Sequence, residues 1–246
     1  TVPGNAWYGP EVEGKDNVAP FEVIPWILGQ CATVAQARVL LNRINLIDLP
    51  FSDAMPLSPL HWMISDREES IVVEAMREGM KVHDNPAGVL TNNPPFEFQR
   101  FNLNNYRGVG VDKGENRFSD RLDMDVYCLG LGGLGLPGDL SSMSRFVRAA
   151  FTKLNAVGSD DEMDSVGQFF HILGSVEQTM GCSRLDDGKC EYTVYSCCAN
   201  ADKGIFYYVT YGNRQICSVD MRRENLDGRE LARYDMIRRQ QVFSQN

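Results

Sequence analysis

Thr1 carries two groups that could react. Its hydroxyl can attack a carbonyl while its own free amine serves as base. An α-amine titrating at about 7.7–8.0 suits that work at neutral pH, although most chains that begin with threonine put it to no such use. Asn92 is a second candidate. It follows the run Gly88-Val89-Leu90-Thr91 and is stopped by Pro94, so its amide can stand at a sheet edge and serve binding or chemistry. Asp139 and Arg145 flank the start of a helix, and Arg145 and Arg148, one turn apart, share a face with Thr152. Such charges serve either a site or a solvated face. Gly130 to Gly135 spells G-x-G-x-x-G. Dinucleotide binding needs a strand before that pattern and a helix directly after it, within a βαβ unit. Pro137 and Gly138 intervene and no such unit surrounds it, so the stretch reads as a tight backbone passage. His61, His83 and His171 fall one per element and read as structural. No His–Cys or His–carboxylate spacing suggests a metal, the cysteines form no C-x-x-C pair, and no serine sits in G-x-S-x-G. Neither cofactor nor metal is expected.

The elements that must position these residues centre on 60–94. Leu60 to Ile64 and Ser70 to Glu74 read as strands joined by the turn Asp66-Arg67-Glu68-Glu69. A second hairpin is expected from Met80 to His83, through the turn Asp84 to Ala87, to Gly88 to Thr91. Ahead of them, 1–16 reads as a loop and Pro20 suits a first helical turn. Phe21, Ile24, Ile27 and Leu28 would share a face, with a kink at Pro25. Thr33 caps a helix lined by Val34, Ala37, Leu40, Leu41 and Ile44. After Pro95 a short helix should turn Phe98, Phe101 and Asn105 to one face. Residues 107–126 form an exposed excursion, and Ser141 or Ser142 caps a helix to about Leu154. Ser159 to Glu162 is a capping box for a helix carrying Met163, Val166, Phe169, Phe170, Leu173, Val176 and Met180. The period then changes to two: Glu191 to Cys198, Ile205 to Tyr211 and Gln215 to Asp220 read as antiparallel strands, with one of Cys197 and Cys198 facing the core. A polar tail from Arg222 should fray. Helices and hairpins in this order describe a layered α+β fold with mainly antiparallel sheets.

Composition narrows the function. At 246 residues, with 43% hydrophobic and 23% charged side chains, the chain is ordinary for a globular protein. A net charge of −9 argues against nucleic acid as the main partner. No apolar run reaches membrane-spanning length. Seven cysteines without framework spacing fit a reducing compartment, and a cytoplasmic location is expected.

Three stretches together resemble one family. They are Leu60-His61-Trp62-Met63-Ile64-Ser65-Asp66 with Ser70 to Glu74, Gly88 to Pro94 with Asn102 to Tyr106, and Gly135-Leu136-Pro137-Gly138-Asp139 through Ala150. Glu191 to Tyr195 is similar as well. The resemblance, over nearly the whole chain, is to the choloylglycine hydrolases, which include bile salt hydrolases and penicillin V acylases. It implies one domain over 1–246 with the four-layer αββα sandwich of the N-terminal nucleophile hydrolases. It implies a conjugated bile acid as substrate and a homo-oligomer, by resemblance a homotetramer. In that family an N-terminal cysteine thiolate attacks the amide between a bile acid and glycine or taurine, and water hydrolyses the resulting thioester. On the matching motifs, Asn92 is similar to the amide that holds the developing oxyanion, and Arg145 to the arginine beside the nucleophile. Such donors contribute on the order of 3 kcal/mol each.

The start of the chain departs from the family. Pro3-Gly4-Asn5-Ala6 resembles the family's internal Asn-Phe-Pro-Gly segment, which puts Thr1 where a second oxyanion asparagine belongs rather than where a nucleophile does. None of the seven cysteines matches the nucleophile. The expectation is therefore a bile salt hydrolase-like amidohydrolase incomplete at its N-terminus, missing its first strands and inactive as given. The alternatives are a penicillin V acylase-like amidase and a non-catalytic sterol-binding remnant.

Overall fold

A computed structural model describes residues 1–246. The chain divides into two compact units, 1–154 and 155–246.

The first unit is built around one strand. In order, it contains β1 (Asp16–Val18), α1 (Val23–Leu28), α2 (Val34–Leu41), β2 (Ile44–Leu46), β3 (His61–Ser65), β4 (Ser70–Met76), β5 (Gly79–Asp84), α3 (Phe96–Asn102) and α4 (Ser142–Asn155). Strands β3, β4 and β5 form an antiparallel sheet with β4 in the middle. Side chains alternate faces along a strand, and β4 is buried on both. Ile71, Val73 and Ala75 join Val23, Ile27 and the Val34, Ala37, Leu40, Leu41 stripe of α2 in one core. Val72 joins Ala87, Val89, Phe96, Phe146 and Ala150 in a second. Glu74 lies on that second face and is fully buried. Thr33 caps α2 as expected, its Oγ1 accepting from the Gln36 amide at 3.2 Å.

Several elements differ from the sequence reading. The second hairpin is β4 with β5, and Gly88 to Thr91 is not a strand. The backbone polar groups of this stretch are satisfied by side chains. Asn85 Nδ2 donates to Val89 O at 3.0 Å and Lys153 Nζ to Ala87 O and Gly88 O at 3.0 and 3.2 Å. No ladder is left to form. Gly88 has φ +58°, and a Cβ there would meet Lys153 Nζ, so glycine is what lets the ammonium reach the backbone. Helices α1 and α3 do not bury the expected faces, Ile27 of α1 being the exception. Val23 and Ile27 are buried while Ile24 and Leu28 are exposed, and Phe96 and Gln99 are buried while Phe98 and Phe101 are exposed. Pro25 ends nothing, because it sits in the first turn of α1, where an amide hydrogen would have no helical partner. Helix α2 stops at Leu41, and Ile44 begins β2, which pairs with β1 in the one parallel ladder, of three residues.

The second unit contains α5 (Glu162–Gly174), β6 (Tyr195–Asn200), β7 (Ile205–Thr210) and β8 (Asn213–Asp220), the strands forming an antiparallel sheet in sequence order. Asp161, not Ser159, caps α5, its Oδ1 accepting from the Asp164 amide at 3.0 Å. The helix stops at Gly174, so Val176 and Met180 lie beyond it. Residues 191–194 precede the sheet, and β6 starts at Tyr195. Cys197 and Cys198 are both half-buried, and burial raises both thiols above their usual range. The tail is not frayed throughout. Thr210 Oγ1 donates to Ile237 O at 2.9 Å, and the Gln241 amide to Asn213 Oδ1 at 3.1 Å, so 237–241 is held against the β7–β8 turn.

Candidate functional site

The segment Thr91-Asn92-Asn93-Pro94 leaves the second core between α3 and α4, and its conformation is set by what grips it. The Asn92 amide donates to Ser142 Oγ at 2.8 Å, and Thr91 Oγ1 to Ser142 O at 3.1 Å. Ser142 opens α4. One turn further along, Arg145 Nη2 donates to Asn92 Oδ1 at 2.8 Å while its Nε donates to Leu140 O at 3.1 Å. One helical turn therefore holds Asn92 by backbone and by side chain. A guanidinium can only donate, so it settles which way the carboxamide faces. Oδ1 turns to Arg145, and the NH2 is presented on the opposite side, 3.4 Å from Thr1 Oγ1.

Thr1 is brought there by the neighbouring asparagines. Asn93 Nδ2 donates to Pro3 O at 2.8 Å, and Asn5 Nδ2 to Asn93 Oδ1 at 3.0 Å. Partial burial, and then the nearby Arg145 charge, push the Thr1 amine below its usual range. Thr1, Asn92 and Arg145, separated by 91 and 53 positions in sequence, thus form one cluster in which a guanidinium polarises an outward-facing amide.

The other sequence candidates sort differently. Asp139 is a cap. Hydrogen bonds from Ser141, and then from Ser144, hold its carboxyl far below the usual carboxylate range. Arg148 does not join Arg145, because its Nη1 donates to Pro137 O and Asp139 O at 2.8 and 2.6 Å. Gly130 to Gly135 passes close against residues 110–112. The Gly110 amide donates to Gly132 O at 2.8 Å, and a Cβ on Gly132 would lie 1.9 Å from Asp112 O. No group of three or more His, Cys, Asp or Glu side chains is arranged to hold a metal ion.

Sequence reasoning missed a buried polar group behind the cluster. Glu74 accepts from the Phe96 amide at 3.1 Å and faces His61 Nδ1 at 3.2 Å and His83 Nε2 at 3.6 Å. His61 Nε2 donates to Thr91 O at 2.8 Å. A carboxylate within the apolar run Ile71 to Met76 was a legible signal, since a buried charge demands partners. Ser142 and Gln99 carried no such signal.

Residues 3–234 match the profile of linear amide C–N hydrolases of the choloylglycine hydrolase family. The chain is 54% identical over 232 residues to the bile salt hydrolase/transferase of Lactiplantibacillus plantarum, covering 94% of this chain and 72% of that one. To the bile salt hydrolase/transferase of Clostridium perfringens it is 39% identical over 226 residues, covering 91% and 68%. Its structure resembles that of a variant of the conjugated bile acid hydrolase from Clostridium perfringens, with a TM-score of 0.90 at 37% identity over 100% of this chain and 75% of the other. The penicillin V acylase of Agrobacterium tumefaciens shares the fold alone, with a TM-score of 0.68 at 19% identity over 90% and 61%.

Proposed function

The chain belongs to the choloylglycine hydrolase family of linear amide C–N hydrolases, and from that premise we propose that it is a bile salt hydrolase, cleaving the amide bond of glycine- or taurine-conjugated bile acids. Its α+β architecture is that of the N-terminal nucleophile hydrolases. Identities of 54% and 39% to enzymes named for bile salts support that substrate over penicillin V, where the likeness is of fold only.

The observation that carries the reading is the Arg145–Asn92 bond of 2.8 Å, which orients the Asn92 NH2 as a donor on the side of Thr1 Oγ1. In the proposed mechanism a cysteine thiolate outside residues 1–246 adds to the substrate carbonyl. Charge then develops on the carbonyl oxygen, and Asn92 Nδ2 donates to it. A donor already aimed at that position costs no reorganisation in the transition state. Collapse expels glycine or taurine and leaves a thioester, which water hydrolyses. Arg145 keeps the amide oriented and adds positive potential. Thr1 Oγ1 lies 3.4 Å from Asn92 Nδ2, the proposed oxyanion donor. In the first unit, Cys31 packs against the core of α1 and α2 and Cys128 is exposed, and neither hydrogen-bonds with this cluster.

Residues 1–246 act in this proposal as one catalytic domain, supported by a family match that runs through both units. The protein is a homo-oligomer, a homotetramer, a reading with which the exposed apolar side chains of Val111, Phe118, Tyr127, Leu129 and Leu134 agree. Seven free cysteines support a cytoplasmic location, and a net charge of −9 weighs against nucleic acid as partner. No helix is long and apolar enough to cross a membrane.

The test is amino-acid release from glycocholate by residues 1–246, by a chain extended with an N-terminal segment beginning with cysteine, and by that chain with Asn92→Ala. Turnover is expected only from the extended chain, reduced roughly a hundredfold by Asn92→Ala. Turnover by residues 1–246 that disappears in Thr1→Ala would make Thr1 the nucleophile and overturn the reading.

A further inference from the structure

Gln99 is one of the largest fully buried side chains of the molecule, on the inner face of α3 one turn after Phe96. Its single NH2 group lies 3.2 Å from Asn92 O, 3.3 Å from Pro94 O and 3.2 Å from Ser142 Oγ. Its Oε1 is buried without a partner. Turning the amide over would not relieve this, because Oε1 would then face two backbone carbonyls that can only accept. A buried acceptor left unsatisfied costs free energy and calls for an explanation. The explanation available is on the nitrogen side. That one NH2 group ties together the carbonyls on either side of Asn93 and the hydroxyl that receives the Asn92 amide.

We propose that Gln99 is a positioning residue for Asn92, clamping the Asn92 carbonyl while Ser142 clamps its amide, so that the Asn92 NH2 is held where charge develops. This rests on the proposed role of Asn92. With both backbone groups of Asn92 held, the side chain keeps only its own torsions, and Arg145 holds those. Gln99 is itself held from the sheet. Glu74 accepts from the Phe96 amide at the start of α3, and His61 takes the Thr91 carbonyl just before the clamp. The unsatisfied Oε1 is the cost of aiming the NH2 at the segment that carries the site.

The experiment uses the chain extended with an N-terminal segment beginning with cysteine, measuring kcat and KM for glycocholate and the melting temperature in Gln99→Leu and Gln99→Glu, each alone and with Asn92→Ala. The Glu variant keeps the shape if the Leu variant fails to fold. Gln99→Leu removes the donor and Gln99→Glu leaves at most one hydrogen in place of the NH2, so kcat should fall roughly tenfold or more in the Leu variant, and by less in the Glu variant, with KM nearly unchanged, as expected for loosening a positioned group. In the Asn92→Ala background neither should lower kcat further, because nothing is left to position. Unchanged kcat in both Gln99 variants overturns the inference, as does an equal loss in the presence and absence of Asn92. If Asn92→Ala itself leaves kcat intact, the role of Asn92 fails and this inference with it. If Asn92→Ala lowers kcat and the Gln99 variants do not, this inference alone fails.

Discussion

Arg145 reaches Asn92 across 53 positions of sequence and donates to its Oδ1 at 2.8 Å, while its Nε stays on Leu140 O. The two contacts use different nitrogens of one planar fork, so the guanidinium cannot swing without losing one of them. A lysine could supply charge, but its three donors sit on one rotating nitrogen and are not spaced as the fork's are.

In the chain extended with an N-terminal segment beginning with cysteine, Arg145→Lys should therefore lower kcat for glycocholate by roughly tenfold and Arg145→Ala by roughly a hundredfold, the latter matching Asn92→Ala. The double variant Arg145→Ala, Asn92→Ala should be little worse than either alone, because both act on one donor. Full additivity in the steady-state rates would separate the two roles and break the coupling argued here.

Phe96 and Phe146 meet edge to face at 6.0 Å and are almost fully buried, and they join α3 to α4 behind the site. Phe146→Ala should destabilise the first unit by about 3–5 kcal/mol through lost transfer energy and the cavity left behind. Chemical denaturation followed by fluorescence measures this. A loss below about 1 kcal/mol would mean that the second core collapses around the gap.

Gly132→Ala puts a methyl group 1.9 Å from Asp112 O and 2.6 Å from Gly110 O, so the 108–112 loop must move off. The expected cost is about 1–3 kcal/mol, with the Gly110 to Gly132 hydrogen bond lost and residues 107–115 cut faster by protease. Wild-type cleavage kinetics in the variant would show that the passage is looser than the close approach implies.

Four carboxyls are held below their usual range, Asp187 among them through Lys189. The Val34 amide and then those of Glu69 and Glu68 act on Asp66, Ser141 and then Ser144 act on Asp139, and Lys203 leads on Glu162. A group whose folded-state pKa is depressed adds stability above its unfolded pKa of about 4 and loses it as pH falls through the folded value. The melting temperature should therefore hold between about pH 7 and 5 and fall below about pH 4. Asp66→Asn and Asp139→Asn should lower it at pH 7 and make the acid limb shallower. A melting temperature that rises on acidification below pH 4 would contradict this sign.

Element types were readable where local chemistry decides them. Thr33 capped its helix, the period of two after residue 190 became an antiparallel sheet, and Gly130 to Gly135 was a close passage rather than a phosphate loop. The face of the eight-residue α2 was readable, with Val34, Ala37, Leu40 and Leu41 all buried, whereas the thirteen-residue α5 buries Val166 alone of the expected Met163, Val166, Phe169, Phe170 and Leu173. On the six-residue α1 and seven-residue α3, both sides carry large apolar residues, and which side is covered depends on where β4 and α4 lie. Gly88 to Thr91 has strand composition, yet side chains from residues up to 65 positions away take its carbonyls before any strand can.

The sequence by itself determined the family, through contiguous motifs whose residues need only be in order, and it named Asn92 and Arg145 within those motifs. It could not say that the two touch, which way the carboxamide faces, or that Gln99, Ser142, His61 and Glu74 stand behind it. Those are properties of orientation between segments as much as 53 positions apart, set when α3 and α4 pack on the second face of β4. A donor's direction is fixed only by the partner that denies it the alternative, and that partner is a tertiary neighbour.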